Sequence, residues 1–276
     1  MRPLVLLSND DGYTAPGLVA LHAELAKEAD VIVCAPEVNQ SATSHSLTLH
    51  RVLRLRNVEP SVFAVDGTPA DCVYVALHAG TRVLPRRPDL VVSGMNHGPN
   101  LGVDVFYSGT VAAAREGAMQ GVPAIAVSSD SGAEIKAAAA LGARLALELC
   151  AWHMASAAPP AAPAQGSSGA LGSGEAAAIL SVRHAPLLNV NIPPGTAWRV
   201  RGTRVGARLY AQEIIFRNDP RGREYLWIGG ANARHVPVPG SDTDAYDEGV
   251  ASVTPLSLDL FAPEHADLAG AIASKV

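Results

Sequence analysis

Short apolar runs alternate along the first half of the chain with longer stretches that carry apolar residues at helical spacing. Leu4 to Leu7, Val31 to Ala35, Leu90 to Ser93 and Ala124 to Ser128 are apolar nearly throughout. Such runs suit strands buried on both faces of a parallel sheet. Residues 17–29, 69–79, 110–120 and 133–152 lie between or after them and carry helical spacing. This order predicts an α/β fold: a doubly wound, mostly parallel sheet with helices on both faces, in three layers. Residues 155–178 are almost entirely Ala, Pro, Gly and Ser, the composition of a flexible insertion. Beyond them, LLNVNIP (187–193), RVGARLYAQEIIF (204–216) and EYLWIGG (224–230) predict a strand-rich C-terminal region built onto the sheet. Residues 255–270 read as a helix or an extended arm. No internal repeat is visible.

Composition narrows this picture. The 276 residues are 48% hydrophobic and 17% charged, ample for a packed core and far from a disordered composition. A net charge of -5, with no Lys/Arg cluster, argues against binding a nucleic acid polymer. Cys34, Cys72 and Cys150 are far apart without CxxC spacing, and read as bystander thiols in a reducing compartment. No leader pattern and no apolar run of about 18 residues is present, so no membrane span and a cytoplasmic protein are expected.

The chemistry gathers where strands end. The first apolar run breaks into Ser8-Asn9-Asp10-Asp11-Gly12. Asn, Asp and Gly are common turn formers, so a plain turn is one reading. Adjacent Asp side chains diverge within a strand, but a Gly-assisted turn past its end can bring both to one point. Two close carboxylates repel unless a positive charge lies between them, and a hard divalent cation with oxygen ligands meets that need. The second run leads into Asn39-Gln40-Ser41-Ala42-Thr43-Ser44-His45 and the third into Ser93-Gly94-Met95-Asn96-His97-Gly98-Pro99-Asn100. Open α/β sheets bind ligands outside the carboxyl ends of their strands, and three polar clusters sit there. Tyr107-Ser108-Gly109-Thr110 precedes a helical stretch: Ser108 or Thr110 can cap it, and free N–H groups at a helix start can also seat a phosphate. There is no GxxxxGK[ST] and no GxGxxG after the first strand, so neither a P-loop nor a dinucleotide fingerprint is present.

LLSNDDG, APEVNQSATSHSLTL, VDGTPADCV, PDLVVSGMNHGPNLG, YSGTVAAAREGAMQGVPAIAVS, NVNIP, DPRGREYLWIGG and GSDTDAYDEGVASVTPL occur in that order over nearly the whole chain. In these stretches the chain resembles the SurE (survival protein E) family of metal-dependent 5′-nucleotidases. The resemblance implies one domain over 1–276: a Rossmann-like core (1–154), the insertion (155–178), and a strand-rich part with a C-terminal oligomerisation arm (179–276). It implies a homodimer or homotetramer held partly by exchanged C-terminal segments. It further implies one divalent ion per subunit, Mg²⁺ or Mn²⁺, on Asp10, Asp11, Ser41 and Asn96, four oxygen donors that suit such an ion better than structural zinc. Asn9, Asn100, Ser108, Gly109 and Thr110 match segments expected to face the phosphate, Gly67-Thr68-Pro69 a loop at the mouth, and Asp242 the family's Thr-Asp pair, here Ser241-Asp242. The implied substrate is a nucleoside 5′-monophosphate, with 3′-nucleotides and short polyphosphate as further substrates of relatives.

Asp10 and Asp11 are then the candidate catalytic residues. Two routes are open: a carboxylate, Asp10 first, acting as general base toward water, or a transient aspartyl-phosphate. His45, beside Ser41, is a candidate substrate contact, and His97 stands where the family often has Arg. Glu116 reads as a helix-internal polar contact, and Arg217, Arg221 and Arg223 as a solvated turn or an anion-steering patch. Two rivals lack residues where they need them: a phospho-receiver domain would require an Asp ending the third strand and a Lys after Val127-Ser128-Ser129, and a haloacid-dehalogenase-type phosphatase an Asp-x-Asp pair where the first strand here ends in Asp10-Asp11-Gly12. A nucleotide-binding protein without turnover would carry the same loops.

Overall fold

The computed structural model describes residues 2–156, 185–210, 214–228 and 233–274. The central sheet holds nine strands. In chain order these are β1 (Leu4–Ser8), β2 (Asp30–Pro36), β3 (Leu55–Glu59), β4 (Val62–Val65), β5 (Leu90–His97), β6 (Ala124–Ser129), β7 (Leu187–Ile192), β8 (Val200–Gly202) and β13 (Ala251–Pro255). Their spatial order is β3-β4-β2-β1-β5-β6-β7-β13-β8. The six from β4 to β7 are all parallel. Each expected strand is present, and LLNVNIP forms the last of the parallel run.

Strand alternation sorts the core into two layers. Val5 and Leu7 of β1 and Leu90 and Val92 of β5 face one side; Leu6 and Val91 face the other. On the first side lie α1 (Pro16–Leu25) and α4 (Ile135–Ser156), which bury Leu18, Leu21, Leu25, Ala138 and Ala146. On the second lie α2 (Pro69–His78) and α3 (Gly109–Met119), with Cys72, Val73, Val111 and Ala114. Strand β1 feeds β2 on one side; after β4 the chain returns to β5 on the other. The switch point therefore lies between β1 and β5, where open α/β sheets form their ligand crevice.

The structure corrects several boundaries. The expected helix over 17–29 stops at Leu25, and that over 133–152 runs on to Ser156, into the first residues expected to be insertion. The rest of the insertion lies outside the described residues. Two small sheets complete the C-terminal region: β9 (Ala207–Tyr210) with β12 (Ala233–Val236), and β10 (Ile214–Asn218) with β11 (Glu224–Ile228). The tail contains α6 (Ala266–Ala273), and α5 (Asp242–Asp247) precedes β13.

One close approach fixes how α1 sits on the sheet. A Cβ on Gly17 would lie 2.1 Å from the Met95 carbonyl oxygen, so only glycine lets α1 touch the end of β5. Gly17→Ala must push helix and strand apart, and overpacking of this kind costs about 3 kcal/mol. Urea unfolding should show a lowered midpoint with an unchanged slope.

Candidate metal and phosphate site

The turn after β1 is built by Asn9. Its Nδ2 donates to the Gly12 carbonyl at 2.9 Å, its Oδ1 accepts the Gly12 N–H at 3.2 Å, and Gly12 takes φ +105°. Asn9 is fully buried. Its side chain closes the turn that presents Asp10 and Asp11.

Asp10 is 3% exposed. Its Oδ1 accepts the Thr110 hydroxyl at the start of α3. A Cβ on Gly109 would stand 2.8 Å from the Asp10 Cβ and 3.0 Å from its Oδ2, so the absent side chain lets the first turn of α3 lie directly on this carboxylate. Burial pushes the Asp10 pKa up from 3.8 to about 6; the Thr110 hydroxyl opposes the rise and the Asp11 charge adds to it.

Asp11 reaches the other two clusters. Its Oδ1 accepts Asn39 Nδ2 at 3.1 Å and its Oδ2 the His97 N–H at 3.2 Å. Asn39 Oδ1 in turn accepts the Ser41 N–H at 2.9 Å, and the Gln40 N–H donates to the Asp10 carbonyl at 2.7 Å. Ser41 is exposed at this mouth. Asn96 directly precedes His97. In the β5–β6 pairing Gly94 opposes Val127 and Asn96 opposes Ser128, which leaves Met95 as a bulge; bulges re-aim side chains. Asn96 Nδ2 donates to the Gly98 carbonyl at 2.7 Å, which leaves Oδ1 as a hard oxygen donor. The segments carrying Asp10, Asp11, Ser41 and Asn96 thus meet at the switch point.

The donor set fits a hard divalent cation. Among the described residues no Lys, Arg or His side chain pairs with Asp10 or Asp11. Burying carboxylates without a counter-charge is costly. No group of three or more His, Cys, Asp or Glu is placed to hold a metal among the described residues, so an ion here would need the side-chain oxygens of Ser41 and Asn96 beside the two carboxylates.

The remaining candidates form a supporting ring. Ser108 caps α3, its Oγ accepting the Val111 N–H at 3.1 Å. Asn100 is nearly buried and held on three sides: its N–H by Asn191 Oδ1 at 2.7 Å, its Nδ2 by Ser128 Oγ at 2.9 Å, its carbonyl by Asn189 and Asn191. The His45 ring lies against Glu116, Nε2 to Oε2 at 2.7 Å. Burial pushes the Glu116 pKa up, but hydrogen bonds from His45 and Gln120 outweigh it and hold the carboxyl below its usual range. Glu116 thus makes the expected contact within its helix, to Gln120 at 2.8 Å, and ties the 41–47 loop to α3 as well. Thr68 caps α2 through Asp71, which also accepts the Thr48 N–H and hydroxyl. Asp242 is fully buried, accepting N–H groups of Gly102 and Gly206, with Ser241 as the cap of α5.

Sequence reading missed Asp130, one residue past β6. Its carboxylate accepts the Tyr246 hydroxyl and the Gly132 N–H, and it lines a cleft of about 490 Å³ shared with Asp11, Asn96 and His97. The polar run Ser128-Ser129-Asp130-Ser131 at a fourth strand end was the available signal.

The ionised Asp10 carries a measurable cost. With the folded pKa near 6 and the unfolded value near 3.8, the penalty is present above pH 6 and absent below about 4. Asp10→Asn keeps an acceptor for Thr110, so it should stabilise the metal-stripped protein by about 3 kcal/mol at pH 7. That gain should shrink toward zero at pH 4 in urea titrations.

A family model described as "Survival protein SurE" matches residues 5–212. The chain is 67% identical to "5'-nucleotidase SurE" of Sorangium cellulosum over 276 residues, 100% of this chain and 98% of that protein. It is 42% identical to the protein of the same name from Methylococcus capsulatus, over 97% and 96% of the two chains. The crystal structure of "Sure Protein from Aquifex aeolicus" superposes with a TM-score of 0.75 at 32% identity, covering 98% of this chain and all of that one. The turn, the loops and the sheet that meet at the switch point are therefore those of a chain that belongs to the SurE family.

Proposed function

We propose that this chain is a divalent-metal-dependent 5′-nucleotidase that releases phosphate from nucleoside 5′-monophosphates. The observation that carries the reading is the buried Asp10, set against the first turn of α3, beside the partly buried Asp11, with no Lys, Arg or His side chain paired with either among the described residues. The activity for which the relatives are named, one of them 67% identical, supports it.

Asp10, Asp11, Ser41 and Asn96 would hold one Mg²⁺ or Mn²⁺. A bound ion of this kind orients a phosphoryl oxygen, neutralises developing charge and makes water more acidic. The protein supplies the rest by positioning and electrostatics. The N–H groups opening α3 at Gly109 and Thr110 seat the phosphoryl oxygens, while the Thr110 hydroxyl holds Asp10. Ser108 holds that turn in place, and Asn100 braces the loop after β5. Burial raises the proton affinity of Asp10, so it takes the role of base toward the attacking water. Because these groups grip only a phosphoryl group, 3′-nucleotides and the ends of short polyphosphate would also be accepted as substrates. His45 sets the loop that carries Ser41.

The exposed apolar residues Phe216 and Trp227 on the β10–β11 hairpin, and Leu260 and Phe261 in the tail, support a homodimer or homotetramer. Among the described residues no helix is long and apolar enough to cross a membrane; a cytoplasmic location is part of the same reading.

The test is phosphate release from AMP and GMP by protein stripped with EDTA and resupplied with Mg²⁺ or Mn²⁺. Activity should be absent without metal and restored by it. Asp10→Asn should lower kcat by roughly 10²–10⁴-fold even at saturating Mn²⁺; full recovery at high metal would assign Asp10 to ion binding alone. Metal binding by calorimetry without turnover of either nucleotide would make the protein a nucleotide binder instead.

A further inference from the structure

The cleft behind the reaction centre has no role in the chemistry above. It is about 490 Å³ in volume, within the range of small-ligand pockets. It begins at Asp11 and Asn96 and continues along the carboxyl ends of β5 and β6 to Asp130. Pro16, Met95 and Ile135 give it apolar walls. Asp130 gives it a charge, and the loop fixes that charge firmly. The Asp130 N–H donates to the Ile192 carbonyl at 2.9 Å. Its Oδ1 accepts the Gly132 N–H at 2.8 Å, and Ser131 Oγ lies 3.5 Å away. Its Oδ2 accepts the Tyr246 hydroxyl from α5. No Lys or Arg pairs with it among the described residues. Oδ2, with the Tyr246 hydroxyl as its one donor, has room for another.

A substrate whose phosphate lies between β1 and β5 must place the rest of itself somewhere. Asp130 stands one strand further along the sheet, and strands are spaced about 4.8 Å apart. That offset suits the reach from a 5′-phosphate ester across a pentose to its 2′- and 3′-hydroxyls. A carboxylate is the acceptor that dinucleotide-binding sheets set against a ribose hydroxyl. Resting on the nucleotidase reading, we infer that the Asp130 cleft receives the nucleoside half of the substrate, with Asp130 accepting hydrogen bonds from the ribose diol and the apolar walls covering the base. Asp130 is thus a specificity residue, separate from the phosphate-holding group.

The test compares AMP with 2′,3′-dideoxy-AMP, which lacks both hydroxyls but keeps the phosphate and base. The ratio of their kcat/KM values in one preparation cancels any unfolded fraction. Hydrogen bonds to a charged acceptor correspond to roughly tenfold or more in such a ratio. Wild type should prefer AMP by that factor, through KM more than kcat. Asp130→Asn should reduce the ratio, and Asp130→Ala should bring it close to one with the dideoxy substrate little affected. An unchanged ratio in both variants overturns the assignment. If the wild type releases phosphate from neither compound, the nucleotidase reading fails by itself. Calorimetric binding of adenosine then judges the cleft: binding weakened by Asp130→Ala supports it, and no binding to the wild type overturns it.

Discussion

Two carboxylates held side by side, with no cationic side chain paired to either among the described residues, set the terms for the rest of this molecule. Asp10 is almost wholly removed from solvent and Asp11 lies beside it. Folding places them together against both desolvation and mutual repulsion, so the surrounding structure has to hold the arrangement in place. Asn9 and Gly12 lock the turn; Thr110 hydrogen-bonds one carboxylate; Asn39 and the His97 N–H hydrogen-bond the other. A cation bound between the two carboxylates would offset that cost and so couple occupancy to folding.

The sheet order makes this affordable in geometric terms. Parallel strands β1 and β5 bring their carboxyl ends to the same edge, and the reversal of direction between them leaves no crossover covering the crevice. Glycines then allow distances that no side chain would permit: Gly17 against Met95, Gly94 against Val127, Gly109 against Asp10. The bulge at Met95 turns the end of β5, and the Asn100 cluster with Asn189 and Asn191 ties the following loop to β7. Polar groups of the β7 strand are thus used to brace a loop rather than to meet solvent.

Much of this was legible in the residues. The runs at Leu4, Val31, Leu90 and Ala124 announced themselves because they are buried on both faces, and NDDG at the end of the first carried its own electrostatic argument. Strand β3 did not: Leu55–Glu59 is mostly exposed and lies at the sheet edge, so it lacks an apolar signature. Strand β4 has only four residues and its place depends on pairing with β2, a non-local contact. The overrun of α4 to Ser156 was hidden because Ala both favours helix and enriches the adjoining insertion. The turn that Asn9 closes through its own side chain could not be read from neighbours that are themselves turn formers. Asp130 escaped notice because its meaning comes from Tyr246, more than a hundred residues away.

The most direct measurement is diffraction from crystals soaked in Mn²⁺, collected at a wavelength where manganese scatters anomalously. The expected result is one strong peak per chain between Asp10 and Asp11, with oxygens of Asn96 and Ser41 completing the protein ligands at about 2.0–2.3 Å. A peak elsewhere, or none with both carboxylates left unliganded, would contradict the claim that the paired charges exist to hold a cation.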